Sequence, residues 1–282
     1  MTAGPTRDRR LTPATARVAL RGQAEAPTLT EGAPARVVQP VANLLARPGG
    51  PRDRQLLYGA EVLVIDHDAG HAFVQAGADG YCGWLIEATL REGAEAATHR
   101  VSAPATHLYP EASIKVLETG WLPMNARLRV IAAEGPLWRT EAGYVPAPHL
   151  CPLTEVAADP VTVAESLLGS PYLWGGNSRA GVDCSGLVQL AHHAAGRACP
   201  GDSDLQAHAF AGPLGRVLAE AEPLRRGDLV FWKGHVALVA DAARLIHANG
   251  HTMSVAYEGI SEAIARIMAQ GGGPVTLRAR PL

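Results

Sequence analysis

Up to Asp159-Pro160 this chain is written in short apolar runs broken by turn residues, and beyond that point a helical period sets in. Period-two alternation in Glu61 to Ile65 and in Ala72 to Gln75, with Gly and Asp between, marks hairpins buried on one face. Runs of this kind (VVQPVANLL, LLYGAEVLVID, HAFVQAG, YCGWLIEATL) predict a small all-β barrel over residues 36–93. A second stretch, 98–155, repeats the theme, with strands expected at IKVLETGW, ARLRVIAA, LWRTEAG and YVPAPHL. The two stretches close alike, on Gly80-Tyr81-Cys82-Gly83-Trp84 and on Gly143-Tyr144-Val145-Pro146, which is a weak internal repeat. The 30 Gly and 21 Pro among 282 residues supply the turns that many short strands need, and they argue against a helical bundle.

Behind Asp159-Pro160, the residues Val161, Val163-Ala164 and Leu167-Leu168 share a helical face until Gly169-Ser170-Pro171 stops it. Helix-forming text from Cys184 to Ala195 follows, then a polar loop, then the strands LVFW, HVALVA and RLIHAN. A helix ahead of an antiparallel sheet is α+β organisation, expected over 158–282. Residues 1–35 are expected to form a loosely ordered N-terminal arm. Arg7, Arg9 and Arg10 are followed by no apolar run of signal-peptide length, and no stretch elsewhere is long enough to span a bilayer. A cytoplasmic protein without a membrane partner is the expectation.

Charge and cysteine usage narrow the chemistry. A net charge of -2 with no Lys/Arg cluster offers no field for phosphate backbones, so nucleic acid is not an expected partner. Cys82, Cys151, Cys184 and Cys199 are far apart and form no Cys-x-x-Cys, so neither a redox dithiol nor a zinc ribbon is indicated, and no cofactor or metal is expected.

In Gly181-Val182-Asp183-Cys184-Ser185-Gly186-Leu187, Asp183 is a good N-cap type, and Leu187, Leu190, Ala191 and Ala194 recur at helical spacing until Gly196. Cys184 then sits in the first turn, where free N–H groups and the helix dipole favour a thiolate. Most free cysteines are simply small buried residues, and on this segment alone the two readings weigh equally.

A thiolate nucleophile needs a base, and the base needs an orienting group. His235 opens a strand after the tight Lys233-Gly234 turn, and His247 lies in the next strand. A three-residue loop, Asp241 to Ala243, would pair Ala240 with Arg244 and make His247 a same-face diagonal neighbour of His235. A two-residue loop would turn His247 away. The three-residue register also sets Asn249 opposite His235, so Asn249 is a rival third member. With 11 histidines in the chain some fall at strand ends by chance, so His192-His193 on the helix are read as solvated or capping residues.

The residues Pro171-Tyr172-Leu173-Trp174-Gly175-Gly176, Asp183-Cys184-Ser185-Gly186-Leu187-Val188, Arg226-Gly227-Asp228-Leu229-Val230-Phe231, His235-Val236-Ala237-Leu238-Val239 and Ile246-His247-Ala248 together resemble the NlpC-type cysteine peptidases, which cut peptide stems of bacterial peptidoglycan. The resemblance runs from about Val161 to Leu282 and implies an α+β papain-like cysteine peptidase domain preceded by two small all-β SH3-like barrels. It makes Cys184 the nucleophile, His235 the base and then the acid, and His247 the orienting residue. Tyr172 would lie beside the thiolate, its hydroxyl and the Cys184 N–H receiving the oxyanion; Trp174 is read as ordinary aromatic packing.

The two barrels resemble those of the γ-D-glutamyl-L-diamino acid endopeptidases, the dipeptidyl-peptidase six type. That resemblance implies a peptidoglycan-derived peptide, L-Ala-γ-D-Glu-diamino acid with a free amine, as substrate, and a role in murein recycling. It places Asp183, Ser185, Ser203 and Tyr81 at the substrate, with Asp183 as the acid facing the ammonium. Two other readings compete: a wall-peptide binding protein without catalysis, and a zinc hydrolase using Cys184, His235 and His247.

Overall fold

The structure is a computed structural model that describes residues 18–23 and 26–282; Arg7, Arg9 and Arg10 lie outside the described residues. The chain divides into two compact units. One runs to Leu150 apart from Val101–Ala105, and the other comprises that short segment and Cys151–Leu282.

In the first unit the alternating runs form one seven-stranded antiparallel sheet in the order Arg52–Leu57, Val41–Leu45, Cys82–Ile86, His71–Ala76, Glu61–Asp68, Ala33–Val37, Leu90–Glu92. Bulges at Asp53 in Arg52–Leu57 and at Ile65 in Glu61–Asp68 bend the strands. The residues expected to form a loose arm do not all behave as one. Val18–Leu20 pairs in parallel with Thr28–Thr30, and Leu20 is buried with Ile65, Phe73, Cys82 and Trp84. A buried leucine on the barrel core anchors that segment, which the arginine-rich text before it concealed.

The second stretch departs from its expected strands at one place. Ile114 to Thr119 is not a strand; Ile114 is 66% and Leu117 86% exposed, and the strand begins at Gly120. The Ser113 hydroxyl accepts from Lys115 N and fixes a turn there, which competes with extended backbone. The remaining text forms the antiparallel triplet Val130–Ala132, Leu137–Thr140, Gly143–Pro146, a second triplet Arg127–Leu128, His99–Val101, Leu150–Pro152 and the pair Ala105–Leu108, Gly120–Pro123, with Leu122, Ala126, Leu128 and Val145 fully buried. The two halves of the internal repeat adopt the same order: a strand (Cys82–Ile86; Gly143–Pro146), one 3-10 turn (Glu87–Thr89; Ala147–His149) and a short strand (Leu90–Glu92; Leu150–Pro152).

The second unit holds four α-helices, α1 (Pro160–Glu165), α2 (Cys184–Ala194), α3 (Ser203–Phe210) and α4 (Ile260–Ala269). Its six-stranded antiparallel sheet runs Gly215–Val217, Leu277–Pro281, Leu229–Trp232, His235–Val239, Arg244–Asn249, Ser254–Gly259. Asp159 caps α1 by accepting from Val161 N and Thr162 N, with Pro160 in the first turn. α2 packs against α1, α3 and the two central strands, and it is buried on almost every side. It stops at Gly196, whose φ of 68° is the left-handed C′ conformation glycine adopts without strain. α4 covers one face of the sheet, where Ala263 and Ile267 pack on Val230, Trp232, Ala237, Val239 and Leu245.

The motif residues Arg226 and Asp228 hold this unit together. Arg226 donates to Asp159, to both oxygens of Glu165 and to the Ala240 carbonyl, tying α1 to the strand ends. Asp228 is 1% exposed and accepts from Arg225 N and from Arg280 Nε and Nη2. Buried with its charge matched, it fixes the turn into Leu229–Trp232.

Candidate active site

The first turn of α2 is shaped by Asp183. Its Oδ1 accepts from Gly186 N at 2.6 Å and from the Ser185 hydroxyl at 3.0 Å, while Oδ2 accepts from Gly175 N at 2.8 Å. One carboxylate therefore caps the helix and fastens the loop that carries Tyr172 and Trp174. The loop lies so close that a Cβ on Gly186 would run into the Gly176 carbonyl oxygen. Tyr172 is anchored from the other side, its N–H donating to Met253 O at 2.9 Å.

Cys184 is 7% exposed and its sulfur faces the backbone N–H groups of Val236, Ser185 and Cys184 itself. The thiol thus meets the sheet at the residue following His235. Burial pushes its pKa up to about 12 and the Asp183 charge adds to the rise, with the three N–H groups pulling the other way. The sequence led us to expect a thiol lowered by its helix position. Desolvation and a carboxylate one residue away oppose the helix terminus and favour the neutral thiol.

The hairpin after Val239 has the register that the chemistry requires. Val239 pairs with Leu245 and Leu238 with Ile246, and Ala240 N donates to Arg244 O, leaving a loop of Asp241, Ala242 and Ala243. Continued by one residue, this register sets Ala237 opposite His247 and makes His247 the diagonal same-face neighbour of His235. His235 Nε2 lies 2.9 Å from His247 Nδ1. The nitrogen of His235 left for the thiol is Nδ1. Burial pushes His235 down to about 3, helped by His247, and pushes His247 down to about 4 against the pull of Glu258. Both rings rest neutral at physiological pH.

Asn249, the rival orienting residue, is committed elsewhere. Its Oδ1 accepts from His251 N, Thr252 N and the Thr252 hydroxyl, closing the turn beyond its strand. Tyr172 is raised to about 12, by burial first and then by Cys184 and Asp183, which places the phenol in the electrostatic field of the thiol. Ser203 opens α3; one turn on, Gln206 donates to the Ser185 carbonyl at 2.9 Å, which sets the start of α3 against the start of α2. Tyr81 is 2% exposed beneath the Arg54 guanidinium, 4.8 Å from its ring centroid, and its N–H donates to Asp79.

Two aromatic readings change. Trp174 is 67% exposed, so it is not ordinary core packing. His192, read as solvated or capping, is 1% exposed, with Nδ1 donating to Val188 O and the ring 5.2 Å from that of Phe210. The helix is buried on more faces than a surface helix, which a single amphipathic stripe does not reveal.

Sequence reasoning missed Glu258 and Arg266. Glu258 Oε2 lies 3.0 Å from His247 Nε2, and Arg266 Nε and Nη2 each donate to Glu258 at 2.7 Å. The available signal was parity: a four-residue turn after Asn249 pairs His247 with Ala256 and puts Glu258 on the same face. Cys82, Cys151, Cys184 and Cys199 are all free thiols. Among the described residues no group of three or more His, Cys, Asp or Glu is placed to hold a metal ion. None of their helices is long and apolar enough to cross a membrane.

Comparison with known proteins gives this geometry a family. The model of the NlpC/P60 family matches residues 169–268, and that of the bacterial dipeptidyl-peptidase SH3 domain matches residues 44–90. A protein of Bacillus cereus named gamma-D-glutamyl-L-lysine dipeptidyl-peptidase is 29% identical over 72% of this chain and 69% of its own length. One of the same name from Bacillus subtilis is 28% identical over 74% of this chain and 76% of its own. The crystal structure of an NlpC/P60 family protein from Bacillus cereus superposes with a TM-score of 0.73 at 20% identity, covering 88% of this chain and 99% of that one, which shows the shared fold. A papain-like helix-and-sheet unit, five motifs in order and two matching family models show that this chain carries an NlpC/P60 cysteine peptidase domain, matched over residues 169–268, behind a bacterial dipeptidyl-peptidase SH3 domain, matched over residues 44–90.

Proposed function

We propose that the protein is an endopeptidase that cleaves the γ-D-Glu–L-diamino acid bond of peptidoglycan peptides with a free N-terminal L-Ala, releasing L-Ala-γ-D-Glu, in murein recycling in the cytoplasm. The observation that carries the reading is the meeting of the Cys184 thiol, at the start of α2, with the strand that begins at His235, whose ring is oriented by His247. The shared name of the two Bacillus relatives supports the bond and the dipeptide product.

In this mechanism the γ-carbonyl of D-Glu approaches Cys184 and the thiol proton passes from Sγ to His235 Nδ1. Sulfur bonds to the carbonyl carbon, and the oxyanion is received by the Cys184 N–H and the Tyr172 hydroxyl. His235 returns the proton to the leaving amine as the C–N bond breaks, and water then hydrolyses the thioester. A neutral thiol beside a neutral imidazole suits proton transfer coupled to attack, with little charge stored before substrate arrives.

Asp183, Ser185 and Ser203 are the substrate-facing residues of the reading, gathered where α2 and α3 begin. Asp183 has both oxygens hydrogen-bonded to the protein and is the carboxylate offered to the L-Ala ammonium. Tyr81 enters through the likeness of the first barrel to the dipeptidyl-peptidase subgroup. Residues 98–155 are read as a second SH3-like unit, supported by the recurring strand, 3-10 turn and strand.

The test is mass spectrometry of products from free and N-acetylated L-Ala-γ-D-Glu-L-Lys. Cleavage of the free peptide alone, lost in Cys184→Ala, is expected. Equal rates on both peptides would remove free-amine recognition, and activity retained by Cys184→Ala would remove the thiol mechanism.

A further inference from the structure

The line of contacts that orients His235 does not end at His247. The His247 side chain is fully buried and its Nε2 lies 3.0 Å from Glu258 Oε2, off the straight line of a hydrogen bond. Glu258, on the edge strand Ser254–Gly259, is gripped by two bonds from Arg266 of α4, each 2.7 Å. With His247 paired to Ala256, Glu258 is its diagonal same-face neighbour. His247 bears the same relation to His235 one strand further in. Three adjacent strands thus carry His235, His247 and Glu258 as a row of diagonal contacts on the face that α4 covers.

We propose that Glu258, held by Arg266, is a positioning residue that fixes the tautomers of both histidines, leaving Nδ1 of His235 unprotonated and ready to take the Cys184 proton.

Donors and acceptors decide the two tautomers, and their part in catalysis rests on the thiol-peptidase reading. An ionised carboxylate only accepts, so a buried nitrogen lone pair held 3.0 Å from it is repelled. His247 therefore carries its proton on Nε2, even where the bond to Oε2 is bent. In the neutral ring Nδ1 is then an acceptor. The 2.9 Å contact between the rings needs one hydrogen, and His235 Nε2 supplies it. A neutral His235 protonated at Nε2 has its lone pair on Nδ1. When Sγ gives its proton to Nδ1, the imidazolium keeps its Nε2–H bond to His247, and the new positive charge lies on a line that ends in a carboxylate.

Arg266 completes the device. Its two bonds hold the Glu258 carboxyl below the usual range against the burial that would raise it, so Glu258 stays an anion and an acceptor instead of taking the His247 proton. The fields of His247, Arg266 and Glu258 act on the His235 ring, and those of Glu258 and Arg266 on the His247 ring, from the neighbouring strands and from α4. A glutamine at 258 keeps the shape and can still bind Arg266, yet its amide can donate to His247 Nε2. That would move the proton to Nδ1 of His247, and then to Nδ1 of His235, where it blocks the base.

The test combines ring-nitrogen NMR of histidine-labelled protein with kinetics on L-Ala-γ-D-Glu-L-Lys. In the unmodified enzyme both His247 and His235 are expected to carry the proton on Nε2; a proton on Nδ1 of His247 overturns the proposal whatever any variant does. In Glu258→Gln the His247 proton is expected to move to Nδ1, with kcat down by on the order of 10² and KM within about twofold. Full activity in Glu258→Gln, or lost activity with unchanged tautomers, also overturns it. Cys184→Ala, run in parallel, reports separately on the thiol mechanism.

Discussion

His235 Nε2 and His247 Nδ1 face each other at 2.9 Å from adjacent strands, the ring centroids 5.1 Å apart and the planes inclined by 59°. The contact exists because the hairpin between the strands has three residues; one fewer would point His247 to the opposite face. Replacing His247 with Ala is expected to lower kcat by on the order of 10² to 10³ while KM changes little, because the base loses its orientation and the substrate loses no contact. Steady-state kinetics on the free tripeptide check this, and a rise in KM at constant kcat would assign His247 to substrate binding.

The neutral resting thiol has a measurable signature. With the Cys184 pKa raised to about 12, the thiolate fraction at neutral pH is small and grows as pH rises. Alkylation of Cys184 by iodoacetamide without substrate should therefore climb steadily from pH 6 to pH 10, with no plateau at the ordinary thiol range. A plateau below pH 7 would reveal a preformed thiolate–imidazolium pair instead.

Two buried histidines, His192 and His247, and the half-buried His235 make the fold sensitive to mild acid. Burial lowers His192 to about 4, His235 to about 3 and His247 to about 4. The unfolded chain, with histidines near their ordinary value, binds more protons over that window. Stability is thus complete above about pH 6.5 and falls as pH drops toward 4, before most carboxylates titrate. Each such histidine contributes on the order of 2 to 3 kcal/mol at pH 4. Thermal melts from pH 7 to 4 should show the decline, and His192→Leu, outside the catalytic line, should flatten it. An unchanged slope in His192→Leu would show that His192 takes up its proton without cost in the folded state.

Gly186 tests the close approach of α2 to the loop before it. Ala there would drive its Cβ into the Gly176 carbonyl, displacing the loop that carries Tyr172. Gly186→Ala is expected to lose about 1 to 3 kcal/mol in denaturant unfolding, together with activity. Wild-type stability in this variant would mean the loop yields freely.

How much of this was legible beforehand follows from the range of the interactions. The Asp183 cap, the Gly196 stop and the two-residue turn ahead of His235 depend on neighbours within a few positions, so residue types and spacing suffice to place them. The expected strand at Ile114 failed because apolar residues there sit in a turn made by Ser113, with no partner strand to bury them. Leu20 was passed over for the converse reason: its partners Phe73 and Trp84 come from distant text.

The peptidase unit, the order of its motifs and the candidate chemistry of Cys184, His235 and His247 are readable in the residues alone, because these are properties of local pattern and residue type. Only the tertiary structure decided that the loop after Val239 has three residues, that Asn249 is spent on a turn, and that Glu258 and Arg266 stand behind His247. It also reversed the expected character of the thiol. A helix terminus is visible in sequence, whereas the desolvation that outweighs it is the sum of everything packed around the sulfur, and that sum exists only in the folded chain.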